Sequence, residues 1–66
     1  MAQYCVNNVA QLNGDHEVHK RGCEYWPTNK IDLGEHASCH TAVALAKAYH
    51  SRSNGCAFCS PICHTS

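Results

Sequence analysis

The chain has few large apolar residues and no long apolar run. Among its 66 residues there is one Trp, one Phe and one Met, and aromatic residues make up 8%. A domain of this length buries only part of its surface, and a core this thin usually needs a metal or disulfides to hold it together. No segment has the length and hydropathy of a membrane span. We therefore expect a single small domain, residues 1–66, stabilised by more than hydrophobic burial.

The sequence also lacks an excess of charge of either sign, since five acidic and five basic residues give a net charge of zero. All the acids lie in residues 1–35, whereas Lys47 and Arg52 are the only Lys, Arg, Asp or Glu residues in 36–66. A dedicated nucleic-acid binder carries a basic stripe or patch, which this distribution does not provide. We expect a protein partner, and nucleic acid is not favoured.

The N-terminus shows no secretion signal. Its first residues, Met-Ala-Gln-Tyr-Cys, contain neither a basic segment nor an apolar run of signal-peptide length. We therefore expect a cytoplasmic protein, in which disulfides rarely persist. If Met1 is an expression start added to a mature chain, a secreted location is the alternative.

Cysteine and histidine are abundant, with six of each. Such a surplus has two standard explanations, metal binding and disulfides. The expected cytoplasmic location favours metal binding, while the even number of cysteines is compatible with three disulfides. Both explanations remain open on the sequence alone.

Two short motifs supply a complete set of zinc ligands. We call His19-x3-Cys23 the N-terminal hook and Cys56-x2-Cys59 the C-terminal hook. Zinc in structural sites takes four Cys or His ligands in a tetrahedron, commonly two from each of two local hooks. A spacing of four places His19 and Cys23 on the same side of a strand or a helix. We therefore predict Zn²⁺ bound by these four residues.

Other residues offer alternative ligands. His16 is three positions before His19 and would face the other way in a strand, so His19 is preferred. Cys39 stands at the predicted helix N-terminus, where a structural role is the simpler interpretation, and Cys63-His64 is near enough to the C-terminal hook to replace His19. The alternates are therefore Cys39, Cys63, His64 and His16. Cys5 is most simply a strand residue.

The pattern of apolar residues predicts an α+β fold with short antiparallel strands, or a hairpin, packed on one helix. Weak alternation predicts strands at 3–9, 17–19 and 30–33, with the last ending at Gly34. A helix is predicted from about 39 to 50, because Ser38 is a good N-cap residue and apolar residues recur at i, i+3, i+4 and i+7. Ser53-Asn54-Gly55 is expected to break the helix before a cysteine-rich C-terminal knuckle.

The order of these motifs resembles the zinc-binding domain at the N-terminus of Ada-type methylphosphotriester repair proteins. The resemblance covers about residues 19–59 and runs from the N-terminal hook, through Ile31-Asp32-Leu33-Gly34 and the Ala-rich stretch 39–46, to Gly55 and the C-terminal hook. It implies the scaffold and a zinc ion bound by His19, Cys23, Cys56 and Cys59. Because His19 stands where the family has its first Cys, and the first half is acidic, the DNA-repair chemistry is not implied.

Three functional interpretations follow. The leading one is a structural or adaptor module with a zinc ion, and the absence of a nucleophile–base set or a carboxylate pair indicates that the chain is not an enzyme. The alternatives are a disulfide-stabilised secreted peptide of toxin or signalling type, and a thiol-based metal or redox sensor. Tyr25 and Trp26, beside Cys23, are expected in the core; if exposed, they would stack on a base or anchor a protein partner.

Overall fold

The computed structural model describes residues 1–65. Its elements are β1 (Ala2–Asn7), β2 (His16–Lys20), β3 (Lys30–His36), α1 (Cys39–Ala46), β4 (Ser53–Gly55) and a single-turn 3₁₀ helix (Pro61–Cys63). The strands form one sheet in the order β3-β1-β2-β4. β1 is antiparallel to β2 and β3, whereas β2 and β4 are parallel. The predicted α+β class is confirmed, with a mixed sheet packed against one helix.

The helix covers one face of the sheet. Val6 and Val18 are opposite each other on β1 and β2, and both are fully buried. They pack with Ala42 and Ala46 of α1 and with Leu33 of β3. The small alanine side chains let the helix lie close to the sheet, so this side of the core is thin, as the scarcity of large apolar residues predicted.

The helix is shorter than the sequence predicted. It begins at Cys39 as expected but ends at Ala46 rather than near residue 50. Beyond Ala46 the backbone forms tighter turns, with Ala48 N–H donating to Leu45 O at 3.0 Å and Tyr49 N–H to Ala46 O at 2.9 Å. Such i→i+3 bonds commonly close the last turn of a helix. Ser38 is the N-cap residue, although its side chain makes no capping hydrogen bond.

Two strands also differ from the prediction. Ser53-Asn54-Gly55 does more than end the helix, because it forms β4 and pairs with β2. β3 continues past Gly34 to His36 through an irregularity in its pairing with β1, where Tyr4 is opposite Gly34 and Cys5 is opposite Asp32. Gly34 has φ +78°, a conformation that glycine adopts without a steric cost, so it allows the strand to bulge and continue.

Within residues 1–65, none of the helices combines the length and the hydrophobicity required to cross a membrane.

Candidate metal centre

The parallel pairing of β2 and β4 brings the two hooks together. Neighbouring parallel strands end at the same edge of a sheet, and each hook lies at the carboxyl end of one of these strands. Val18 is opposite Gly55, and Cys56 N–H donates to Val18 O at 2.9 Å. His19 and Cys56, the residues that follow Val18 and Gly55, are therefore neighbours. The strand register thus determines where the two hooks meet.

A tight turn in each hook then brings its second residue, Cys23 or Cys59, close to His19 and Cys56. After β2, Gly22 has φ +98° and Cys23 N–H donates to Lys20 O at 3.1 Å. After β4, Ser60 N–H donates to Cys56 O at 2.9 Å, which closes a turn around the C-terminal hook. Positive φ is readily adopted by glycine, so Gly22 is the residue that permits the first turn.

Gly55 is required because another segment of the chain lies too close to its backbone for a side chain to fit. Its φ angle is not positive, unlike those of Gly14, Gly22 and Gly34. A Cβ atom at this position would lie 2.6 Å from Cys63 Cβ and 2.9 Å from Ser60 O. The C-terminal segment therefore packs directly against the backbone of Gly55, which fixes the start of the C-terminal hook.

The four predicted ligands converge. One potential ligand atom from each of His19, Cys23, Cys56 and Cys59 lies within 4.8 Å of all the others. The sulfur atoms of Cys23 and Cys56 are 4.0 Å apart. In a tetrahedral site with Zn–S bonds of about 2.3 Å, the sulfurs are about 3.8 Å apart. The spacing of these two sulfurs is therefore close to that of two ligands in a tetrahedral zinc site.

His19 presents one free nitrogen in a buried position. The side chain is 1% exposed, and its Nε2 atom lies 3.6 Å from Glu17 Oε1. The Nδ1 atom is buried and has no hydrogen-bond partner within residues 1–65. Burial lowers the pKa of His19 despite the opposing effect of Glu17, so the ring is neutral at pH 7. A neutral imidazole with an unsatisfied buried nitrogen has the properties of a metal ligand.

Cys23 and Cys56 are protonated thiols when no metal is bound. Burial raises the pKa of Cys23 and of Cys56, and the side chain of Cys59 adds to both effects, whereas hydrogen bonds from backbone N–H groups oppose them. A metal ion must therefore displace protons from this cluster. The Lys20 backbone N–H is 3.3 Å from Cys59 Sγ and donates towards it. Such a donor stabilises the thiolate that a metal requires.

The alternative histidine ligands lie elsewhere. The ring of His16 stacks on that of His50 with centroids 3.8 Å apart, and its Nδ1 is 2.9 Å from Asn7 O. His64 Nδ1 is 3.0 Å from Gly55 O. Neither residue is in the cluster formed by the two hooks. The structure therefore groups His19, rather than His16 or His64, with the three thiols.

The alternative cysteine ligands form a disulfide. Cys39 and Cys63 are bonded to each other and connect the start of α1 to the 3₁₀ helix, across a sequence separation of 24 residues. The sequence had presented metal and disulfides as competing explanations, but the fold contains both a disulfide and a separate set of potential ligands. No local motif marks this pairing, because the two residues meet only through the tertiary packing of the C-terminal segment.

Cys5 lies beside the cluster without being part of it. It is opposite His19 on β1 and fully buried, so it is a strand residue as predicted. Burial raises its pKa to about 11, so it is a neutral thiol at pH 7.

Glu17 contacts His19, and the sequence did not lead us to expect this contact. Its spacing of two from His19 within a strand was a usable signal, since such residues share one face.

Exposed aromatic residues accompany both hooks. The rings of Tyr25 and Phe58 are in contact, with centroids 4.8 Å apart, and the residues are 49% and 71% exposed. Trp26 is half-buried, and Lys30 Nζ lies 5.6 Å from the centre of its ring. The expected core position is therefore wrong for Tyr25. We call the Tyr25–Phe58 pair the aromatic patch.

No protein-family model, curated protein or solved structure matches the chain. The Cys and His groups could hold a metal ion, which is compatible with a small metal-binding module, and the hooks that supply them follow two strands of a mixed sheet.

Proposed function

We propose that the protein is a zinc-stabilised adaptor module, in which His19, Cys23, Cys56 and Cys59 bind one Zn²⁺. The observation that carries the proposal is the convergence of one potential ligand atom from each of the four residues, and within residues 1–65 the buried Nδ1 of His19 also has no hydrogen-bond partner. Three thiolates and one imidazole are a standard structural zinc set, and a site with four protein ligands leaves no open position for substrate. The role of the ion is therefore to hold the fold together rather than to catalyse a reaction.

Elemental analysis tests the zinc site. Protein purified without added metal should contain about one zinc per chain. Cobalt substitution should give the intense visible absorption of tetrahedral Co²⁺ together with sulfur-to-cobalt charge transfer. Cys23→Ala should lose both signals, whereas Cys5→Ala, which removes a neighbouring thiol outside the cluster, should retain them. Wild-type protein free of zinc and unable to bind cobalt would refute the proposal.

We propose further that the aromatic patch is the surface that contacts a protein partner. Tyr25 and Phe58 extend from the two turns that the zinc ion would hold, so the metal would keep both rings in position. Exposed aromatic side chains of this kind commonly supply most of the binding energy at protein interfaces. The zero net charge and the acidic residues around Lys20 and Arg21 support a protein over nucleic acid.

Binding experiments distinguish these partners. The double substitution Tyr25→Ser and Phe58→Ser should abolish capture of a specific protein while leaving the zinc content unchanged. Tyr49→Ser is a matched control, because Tyr49 is an aromatic residue of similar exposure, at 55%, that is not part of the patch. Random duplex DNA should bind negligibly at physiological salt. Submicromolar, salt-sensitive DNA binding that is lost in the double variant would assign the patch to nucleic acid instead.

A further inference from the structure

A second group of potential metal ligands is separate from the two hooks. Sulfur atoms of Cys39 and Cys63 and a ring nitrogen of His40 all lie within 4.8 Å of one another. In the structure the two sulfurs share a covalent bond. We propose that reducing this disulfide creates a second zinc site, formed by Cys39, His40 and Cys63. The proposal does not depend on the first site.

The three residues would remain close together after reduction because other contacts hold their backbones. Cys39 and His40 begin α1, whose position is set by the packing of Ala42 and Ala46 on the sheet. The segment carrying Cys63 is attached to β4 independently of the disulfide: His64 Nδ1 is 3.0 Å from Gly55 O, and Thr65 N–H donates to Asn54 Oδ1 at 2.9 Å. Two thiols and an imidazole would thus remain adjacent.

The surroundings give both a reductant and an ion a route to the site. Cys39 and Cys63 are 5% and 8% exposed, whereas His40 is at the surface. An open cleft of about 520 Å³ lies beside them and is lined by His40, Val43, Lys47 and Cys63, among others. Lys47 is the charged group in this lining, and two thiolates would balance the charge of Zn²⁺, so the bound ion would add no net charge next to the lysine.

The chemistry makes the disulfide and the metal mutually exclusive. A phosphine reductant transfers two electrons to the S–S bond and, with one water molecule, yields two thiols and a phosphine oxide. Zn²⁺ then displaces one proton from each thiol and binds the neutral His40 ring, with water as the fourth ligand. The sulfurs of the intact disulfide carry no thiolate charge and are poor ligands, so the oxidised protein should not bind zinc here.

Zinc counting in the two redox states tests the proposal. Oxidised and phosphine-reduced proteins are loaded with Zn²⁺, desalted under argon and analysed for zinc. We expect about one zinc per chain in the oxidised protein and two in the reduced protein. His40→Ala should contain one in both states, and its reduced form should bind the second zinc at least about 100-fold more weakly. Because His40 is exposed, this variant should fold normally, which circular dichroism can verify.

Controls separate the proposal from nonspecific binding and from the first site. His50→Ala, which removes an imidazole that belongs to neither group of ligands, should keep the counts of one and two. The double variant Cys39→Ala and Cys63→Ala should contain one zinc with or without reductant. Suppose that the wild-type protein contains no zinc when oxidised and one zinc per chain when reduced, and that reduced His40→Ala contains none. That result would refute the hook site while supporting the second site. Equal counts in both redox states, or two zinc ions in reduced His40→Ala, would overturn the proposal.

Discussion

The two faces of the sheet are stabilised by different means. On the helix face, Val6 and Val18 pack against two alanines of α1, and the Cys39–Cys63 disulfide joins the start of α1 to the 3₁₀ helix. On the other face, Cys5 and His19 are buried, and the two hooks meet at His19. The helix face is an apolar core with a covalent bond beside it, whereas the second face buries a thiol and an imidazole.

This difference determines how each face responds to the loss of its cross-link. Without the disulfide, the buried valines and alanines of the helix face still stabilise it through the hydrophobic effect. Without a metal, the hook face keeps a buried His19 nitrogen without a partner, and such a group costs about 1–3 kcal/mol. The hook face should therefore depend on its cross-link far more than the helix face does.

Metal removal should have the largest effect. A structural zinc contributes an apparent free energy of roughly 10–16 kcal/mol in small domains, comparable to the whole stability of an ordinary domain of about 5–15 kcal/mol. A strong chelator, or the substitution Cys56→Ala, should therefore unfold the protein, as measured by circular dichroism. Cys5→Ala should remain folded with zinc bound. A chelated protein that keeps its structure would show that the hook face does not need the ion.

Acid should remove the metal and unfold the protein in the same transition. The ligands are unprotonated when bound to metal, whereas free cysteine has a pKa of 9.0 and free histidine one of 6.5. Three protons thus compete with zinc between pH 6.5 and 9, and the apparent affinity should fall about 1000-fold per pH unit. Zinc release followed with a colorimetric chelator should coincide with the loss of structure. Release that leaves the fold intact would contradict this coupling.

Alkali should act through Cys5 instead. Burial raises the pKa of this thiol from 9.0 to about 11, so its contribution to stability is complete below pH 9 and is lost as the pH rises towards 11. The free energy of unfolding should therefore decline above pH 9. Cys5→Ala should lack this alkaline decline and keep the loss in acid, which separates the buried thiol from the ligands.

Loss of the disulfide should have a smaller effect than loss of the metal. The bond spans 24 residues, and closing a loop of that length stabilises a protein by roughly 3–4 kcal/mol in the chain-entropy model. The double variant Cys39→Ala and Cys63→Ala, saturated with zinc, should lose about that much in urea denaturation and should still fold. If this variant unfolds completely while the chelated wild type stays folded, the helix face depends on its cross-link more than the hook face does, which is the reverse of our expectation.

The sequence predicts which residues form the cluster better than it predicts how they meet. Each hook is a local motif, so His19, Cys23, Cys56 and Cys59 are recognisable from spacing alone. Their convergence depends on the parallel pairing of β2 with Ser53-Asn54-Gly55, a segment of residues with little preference for strands. The disulfide was missed for the same reason, because residues 24 apart are joined by the tertiary fold. The helix was predicted too long because an apolar pattern continues past Ala46, where the backbone forms turns.

The smallest expected effect concerns Glu17, which adjusts the hook face without binding the ion. Its carboxylate lies 3.6 Å from His19 Nε2 and would help to fix the orientation of the ring. Removing such a contact typically lowers metal affinity about 10–100-fold. Glu17→Gln should therefore bind zinc at least tenfold more weakly in a chelator competition, and Glu17→Asp should recover part of the loss if its shorter carboxylate reaches the ring.

Glu24→Gln is the control, because it removes an exposed acid next to Cys23. It should leave the zinc affinity unchanged, since an exposed carboxylate affects the ion only through a charge that solvent and salt screen. Equal losses in Glu17→Gln and Glu24→Gln would mean that net charge, rather than the orientation of His19, sets the affinity.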